Sequence, residues 1–68
     1  MVRVDSEAIR EIDYDAPTAT LFVRFADGDW YRYSDVGAET HQAFLAADSH
    51  GRFFHDHIRD RYKYRKGR

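Results

Sequence analysis

Two groups of residues in this 68-residue chain could carry chemistry. In the first, Phe22, Arg24, Trp30 and Arg32 alternate with apolar residues on either side of a short loop. Period-two alternation puts such a set on one face of a strand pair. With Arg24 opposite Trp30 and Phe22 opposite Arg32, that face presents two rings and two guanidinium groups. Exposed rings stack on unpaired bases at roughly 1–3 kcal/mol each, and arginine meets phosphate, so the pattern suits single-stranded RNA. The competing explanation is Arg-on-aromatic packing that only shields the sheet.

The second group is the tail from Arg59 to Arg68, which interleaves basic residues with Tyr62 and Tyr64. If it is extended from Arg61, then Arg61, Lys63 and Arg65 fall on one side and the two tyrosines on the other. The tyrosines can dock while the cations, Lys66 included, stay in water. The formal net charge of −1 conceals a segregation. Residues 1–58 hold five basic and eleven acidic side chains, net −6, while residues 59–68 hold six basic and one acidic, net +5. Such a tail is an arm for a polyanion, or it is held by its own acidic body.

Other chemistry has less support. His50, His55, Asp56 and His57 lie close in sequence, but His55 and His57 are two apart and point in different directions on a helix. A zinc helix needs an i, i+4 pair, and no cysteine supplements the set. Ser49 beside His50 has the composition of a nucleophile and base, yet Ser49 already has a role as a helix cap. No catalytic, metal or cofactor site is therefore expected.

The elements that must position these residues follow from periodicity. A first strand runs from about Ala8 to Tyr14, with Ile12 and Tyr14 on one face; Ile9 breaks the alternation and suggests a bulge or an entry kink. Asp15-Ala16-Pro17-Thr18 reads as a turn. Leu21, Val23 and Phe25 then form the apolar set of a second strand, and Tyr31 and Tyr33 that of a third. A two-residue turn would pair Val23 with Arg32. A three-residue loop with Gly28 in the left-handed region pairs Val23 with Tyr31 and Leu21 with Tyr33, which keeps the apolar sets together.

Ser34 or Asp35 could cap a helix from about Gly37 to Ala47 whose buried stripe is Val36, Thr40, Ala43, Phe44 and Ala47. Ser49 caps a second helix, in which Phe54, Ile58 and Tyr62 recur at i, i+4 and i+8 and Phe53 pairs with His57. Phe54 and Ile58 are expected against Val23 and Tyr31. The fold class is α+β: a three-stranded antiparallel meander followed by two helices packed on one face, in the order β-β-β-α-α.

The spaced pattern resembles the KTSC domain family, a short module named for the C-terminal extension of some lysyl-tRNA synthetases and also found as small free-standing proteins. The resemblance covers about residues 4–64. It rests first on Val4, Ser6, Ile9, Ile12, Tyr14 and Asp15, and then on Leu21, Val23, Phe25, Gly28, Tyr31 and Tyr33 in the hairpin. Val36 follows before the first helix, with Ala47, Ser49, Gly51, Phe53, Phe54 and Ile58 after it, and finally Tyr62 and Tyr64. Most are apolar or turn positions, so the resemblance implies fold more than task. The chain departs from the family pattern at Asp13, where Gly is usual, at Gly37, where many members have Pro, and at His55, where Asn is common.

Composition bounds the rest. A chain of this length forms one domain, residues 1–68 with the basic tail at about 59–68, and buries only about 60% of its unfolded surface, which leaves no room for a deep cleft. Aromatic residues make up 16% of the chain and must supply much of the core. The absence of cysteine suits a reducing cytoplasm, no apolar run approaches the ~18–20 residues of a membrane span, and Met1–Ser6 shows no apolar signal core. The expected function is a non-catalytic binding module. RNA, single-stranded or structured, is the favoured partner, through Arg24, Trp30, Arg32, Arg61, Lys63, Arg65 and Lys66. The alternative is a protein partner or a second copy docking on Phe22 and Trp30; a small hydrolase or nuclease would need a catalytic constellation that the sequence does not assemble.

Overall fold

The computed structural model describes residues 2–4 and 6–68. Strands β1 (Val2–Arg3), β2 (Ile9–Asp15), β3 (Thr20–Phe25) and β4 (Trp30–Tyr33) precede helices α1 (Ala38–Ala46) and α2 (His50–His57), and β5 (Tyr64–Lys66) closes the chain. All five strands form one antiparallel sheet in the order β1-β2-β3-β4-β5.

The α+β class and the two helices hold, but the sheet has five strands where three were expected. The tail is one reason. It is not a free arm: β5 pairs with β4, setting Tyr64 opposite Tyr33, Arg65 opposite Arg32 and Lys66 opposite Tyr31. The outer edge of β4 would otherwise expose unpaired N–H and C=O groups, and a returning segment with period-two alternation satisfies them. The tyrosine rings set the docking face, since Tyr64 packs 6.0 Å from Tyr31 and 5.7 Å from Tyr33 between centroids. At the opposite edge, β1 has only two residues, too few for a periodic signal.

The central hairpin has the expected register: Leu21 faces Tyr33, Val23 faces Tyr31, Phe22 faces Arg32 and Arg24 faces Trp30. Gly28 has φ +94°, a region that L side chains rarely adopt, and its N–H donates to the Phe25 carbonyl at 2.9 Å. The irregularity suspected at Ile9 is a register shift between Ile9 and Glu11. It lets Ile9 and Ile12, three residues apart, both reach the core with no exposed surface. The turn at Pro17 is a short 3₁₀ segment, Ala16–Thr18, ended by Ala19 in the left-handed conformation.

The core lies between one sheet face and the helices, with Ile9, Ile12, Leu21, Val23 and Tyr33 on the sheet side and Val36, Phe44, Phe54 and Ile58 opposite. Phe54 meets Phe25 at 5.1 Å and Tyr33 at 5.4 Å, both edge-on, so its ring partners are these and not Tyr31. Burial pushes the Tyr33 phenol well above its ordinary range. The expected stripe on α1 is narrower than its spacing implied, because Val36 and Phe44 are buried while Ala43 is exposed.

Neither Ser34 nor Asp35 caps α1; Gly37 is the N-cap and makes no side-chain bond. The chain instead uses Asp35 at φ +58° to turn, and the Val36 N–H donates to the Ala19 carbonyl at 2.9 Å, which sets Val36 into the core. Asp is among the residues that tolerate this conformation. Ser49 does cap α2, accepting from the Arg52 N–H at 3.2 Å. That helix ends at Ile58, so Tyr62 lies beyond it and packs from the following turn.

Candidate functional site

Because both helices pack on one side, the other sheet face has no helix over it. Cross-strand pairing arranges it in two rows. One runs Arg3, Glu11, Arg24 and Trp30; the next runs Asp13, Phe22, Arg32 and Arg65.

The guanidinium over the rings is that of Arg68, not Arg24 or Arg32. Its Cζ lies 4.5 Å from the Phe22 centroid and 4.6 Å from that of Trp30. It also donates to the Asp13 carboxylate, forming an ion pair between two partly sheltered groups. The Gly67 N–H bonds to the Trp30 carbonyl at 2.6 Å and carries the chain past the ring to that position. Burial by itself would raise the Asp13 carboxyl, but the Arg68 hydrogen bond, the Tyr14 N–H and the Arg68 charge together hold it below its ordinary value.

The expected nucleic-acid contacts divide sharply. Arg24 is on the open face but committed to structure: its Nη1 lies 3.6 Å from the Glu11 carboxylate and its Nε donates to the Gly28 carbonyl at 3.3 Å. Arg3 approaches the same Glu11 at 3.8 Å, so two cations compensate a carboxylate that is only 7% exposed. Lys66 is on the opposite face, 3.1 Å from Asp29, whose hydrogen bond and charge raise its pKa. Arg61 sits in the turn after α2 and lines a different groove, with Phe53 and His57.

Arg32, Lys63 and Arg65 are brought together. They line an open groove of about 810 Å³ with Phe22 and with Thr20 and Ser34. Among the described residues none of the three cations has an ion-pair partner. The carboxylates of this face are engaged elsewhere, Asp13 with Arg68, Glu11 with Arg3 and Arg24, and Asp15 with the Thr18 hydroxyl.

The histidines have separate neighbours. His50 Nε2 donates to the Leu45 carbonyl at 3.2 Å, His55 Nδ1 lies 3.2 Å from Asp56, and His57 packs on Phe53 at 4.6 Å. Among the described residues no group of three or more His, Cys, Asp or Glu could hold a metal ion. His41, unremarkable in the sequence, stacks on Tyr14 at 4.4 Å, and burial lowers its pKa. The Tyr14 hydroxyl donates to the Val36 carbonyl at 2.6 Å.

Sequence reasoning missed Arg68 and Asp13. Asp13 could have been found, since it alternates with Ile12 and Tyr14 and faces Phe22 in the register that runs unbroken from the Ala16–Thr18 turn to Glu11. Arg68 could not, because its position depends on the pairing of β5.

Comparison with known proteins decides the family. The KTSC domain family model matches residues 5–62. The chain belongs to the KTSC domain family. The crystal structure of a KTSC domain protein from Yersinia pestis superimposes with TM-score 0.91 at 36% identity, covering 96% of this chain and 92% of that one. An uncharacterized protein of Stutzerimonas stutzeri is 43% identical over 53 residues, 78% of this chain and 75% of the relative. A protein of Tsukamurella paurometabola is 36% identical over 63 residues, 93% of this chain and 94% of its own. A lysine–tRNA ligase of Trichormus variabilis is 30% identical over 64 residues, which is 94% of this KTSC chain and 11% of the ligase.

Proposed function

We propose that this KTSC domain is a non-catalytic nucleic-acid-binding module that holds single-stranded RNA on its open sheet face. The observation that carries the reading is the planar guanidinium of Arg68 lying over both Phe22 and Trp30. A site that seats one flat π-bearing group on two ring faces has the geometry to seat a base. Arg32, Lys63 and Arg65 supply phosphate contacts beside the rings, and among the described residues none of them has an ion-pair partner. The similarity to a segment of a lysine–tRNA ligase adds an associational reason to favour RNA. A cysteine-free chain suits the reducing cytoplasm in which such a ligand is met.

A protein partner or second copy would use the same rings as an apolar patch. The structure favours this less, because Phe22 and Trp30 are half-buried and carry a cation across them. Fluorescence anisotropy with labelled single-stranded RNA from low to moderate salt separates the two. Phosphate binding weakens steeply with ionic strength and an apolar interface does not. Trp30→Ala should lower affinity with little change in salt slope. No detectable binding at low salt overturns the RNA reading in favour of the protein partner.

A further inference from the structure

The groove at the β4–β5 edge has a charge arrangement that folding alone does not explain. Arg32 and Arg65 are directly opposite in an antiparallel pair. Such pairs hold their Cβ atoms about 4.5–5.5 Å apart, and like charges there are destabilising. Lys63 lines the same groove, so a third positive charge joins them. Among the described residues, the Asp13 and Glu11 carboxylates of this face are paired with other cations, and Asp15, hydrogen-bonded to the Thr18 hydroxyl, forms no ion pair with the three. Lys66 provides the contrast: the remaining cation of β5 has Asp29 as a partner at 3.1 Å.

Three exposed cations beside hydroxyl-bearing Thr20 and Ser34 form a receptor for a compact oxyanion. The charge favours one kind. An internal phosphodiester brings a single negative charge, whereas a terminal phosphomonoester carries about −1.5 to −2 near pH 7. Phe22 lines the groove and also lies under Arg68, so the phosphate position adjoins the stacking position.

We propose that Arg32, Lys63 and Arg65 form a subsite for the terminal phosphate of a nucleic-acid strand, whose end nucleotide stacks on the Phe22–Trp30 face. This rests on the RNA reading for the source of the phosphate, though not for the anion site itself.

The test has two arms. In the first, inorganic phosphate is titrated into the protein at fixed ionic strength, balanced with chloride, and the arginine Nε–Hε and backbone amide NMR signals are followed. Saturable shifts centred on Arg32 and Arg65 are expected, with at least about a fivefold loss of affinity in Arg65→Gln, as fits removal of one charge-assisted contact. Shifts that do not saturate, map elsewhere or persist unchanged in Arg65→Gln overturn the subsite. Arg65→Gln removes a like-charge opposition, so its urea midpoint should not fall, and a loss of binding is not a loss of fold.

In the second arm, oligoribonucleotides of one sequence with 5′-phosphate, 3′-phosphate or hydroxyl ends are compared by anisotropy. One phosphorylated end should bind at least about fivefold more tightly than the hydroxyl form, and Arg65→Gln should abolish that difference. Equal affinities for all three overturn the terminal-phosphate assignment. If no RNA binds while inorganic phosphate still saturates the Arg32 and Arg65 signals, the RNA reading fails and the anion site stands. If RNA binds equally well to Arg32→Gln and Arg65→Gln, the subsite fails and the RNA reading stands.

Discussion

Arg68 occupies the surface on which a base would stack, so removing it should tighten RNA binding instead of weakening it. The magnitude follows from its contacts. A cation over an exposed ring is worth about 0.5–1 kcal/mol, and Arg68 lies over two rings at 4.5 and 4.6 Å. Its ion pair with Asp13 adds about 0–1 kcal/mol at a surface site. A base that displaces the guanidinium therefore works against roughly 1–3 kcal/mol. Arg68→Ala removes that competition but also one positive charge near the strand, so the net gain should be about three- to tenfold in affinity. Asp13→Asn provides the control: it frees Arg68, keeps its charge and removes a carboxylate that repels phosphate, and the gain should be at least as large. Anisotropy at moderate salt measures both, alongside urea denaturation, since a loss of about 1–2 kcal/mol is tolerable in a domain of roughly 3–10 kcal/mol. If both variants bind as poorly as Trp30→Ala, the guanidinium stacks with the base and the displacement reasoning is wrong. The pH window is also set. A carboxyl held below its ordinary value contributes in full above about pH 4 and loses its contribution as pH falls through its folded value, so the Asp13–Arg68 contact stays closed at neutral pH.

Other expectations concern the scaffold and the charges. Phe54→Ala should cost about 3–5 kcal/mol, because it removes the ring that meets Phe25 and Tyr33 in the core; an unchanged urea midpoint would refute that packing. Gly28→Val should lower the melting temperature although space around Gly28 is open, since φ +94° strains a β-branched residue; an unaltered melt would count against the hairpin geometry. His41 has a lowered pKa through burial, so the unfolded chain binds its proton first and stability should decline as pH falls below about 6.5; in His41→Asn the decline over that window should flatten. Neutralising Lys63 or Arg65 should flatten the salt dependence of RNA binding by about 0.7 per lost phosphate contact, whereas Lys66→Gln should leave it unchanged.

What the sequence revealed, and what it concealed, follows from how local each determinant is. The hairpin was legible because one glycine and two alternating runs allow a single register that keeps Leu21, Val23, Tyr31 and Tyr33 on one face. The Ser49 cap was legible because its partner is three residues away. The cap of α1 was misplaced because Val36 must first reach the core through the turn at Asp35, a tertiary demand with no local signature. Arg61, Lys63 and Arg65 looked equivalent by period two, but the extended segment starts only after the turn that follows α2, so Arg61 lies elsewhere. Arg24 and Lys66 have the right charge for phosphate, yet Glu11 and Asp29 come into range only once the strands pair.

The basic residues of β5 have two physical roles that the edge position brings together. An exposed edge strand invites pairing with another chain, and lysine or arginine along it discourages that pairing. This accounts for positive charge on β5, but it does not account for its distribution. Edge protection is served equally by a cation with a local carboxylate, as at Lys66, and a sheet free to minimise its own energy would place a carboxylate or a neutral residue opposite Arg65. It places Arg32 there, with Lys63 beside them and Phe22 as the next residue in the row. Arg32, Lys63 and Arg65 have no ion-pair partner among the described residues, so an anion would relieve their repulsion, and the same groups that weaken the edge slightly should gain most from phosphate. Stability measured against phosphate concentration should therefore rise more in the native chain than in Arg65→Gln, since the general stabilising effect of phosphate acts on both and only the site-specific part differs. Parallel curves for the two proteins would leave edge protection as the whole explanation of the charge on β5.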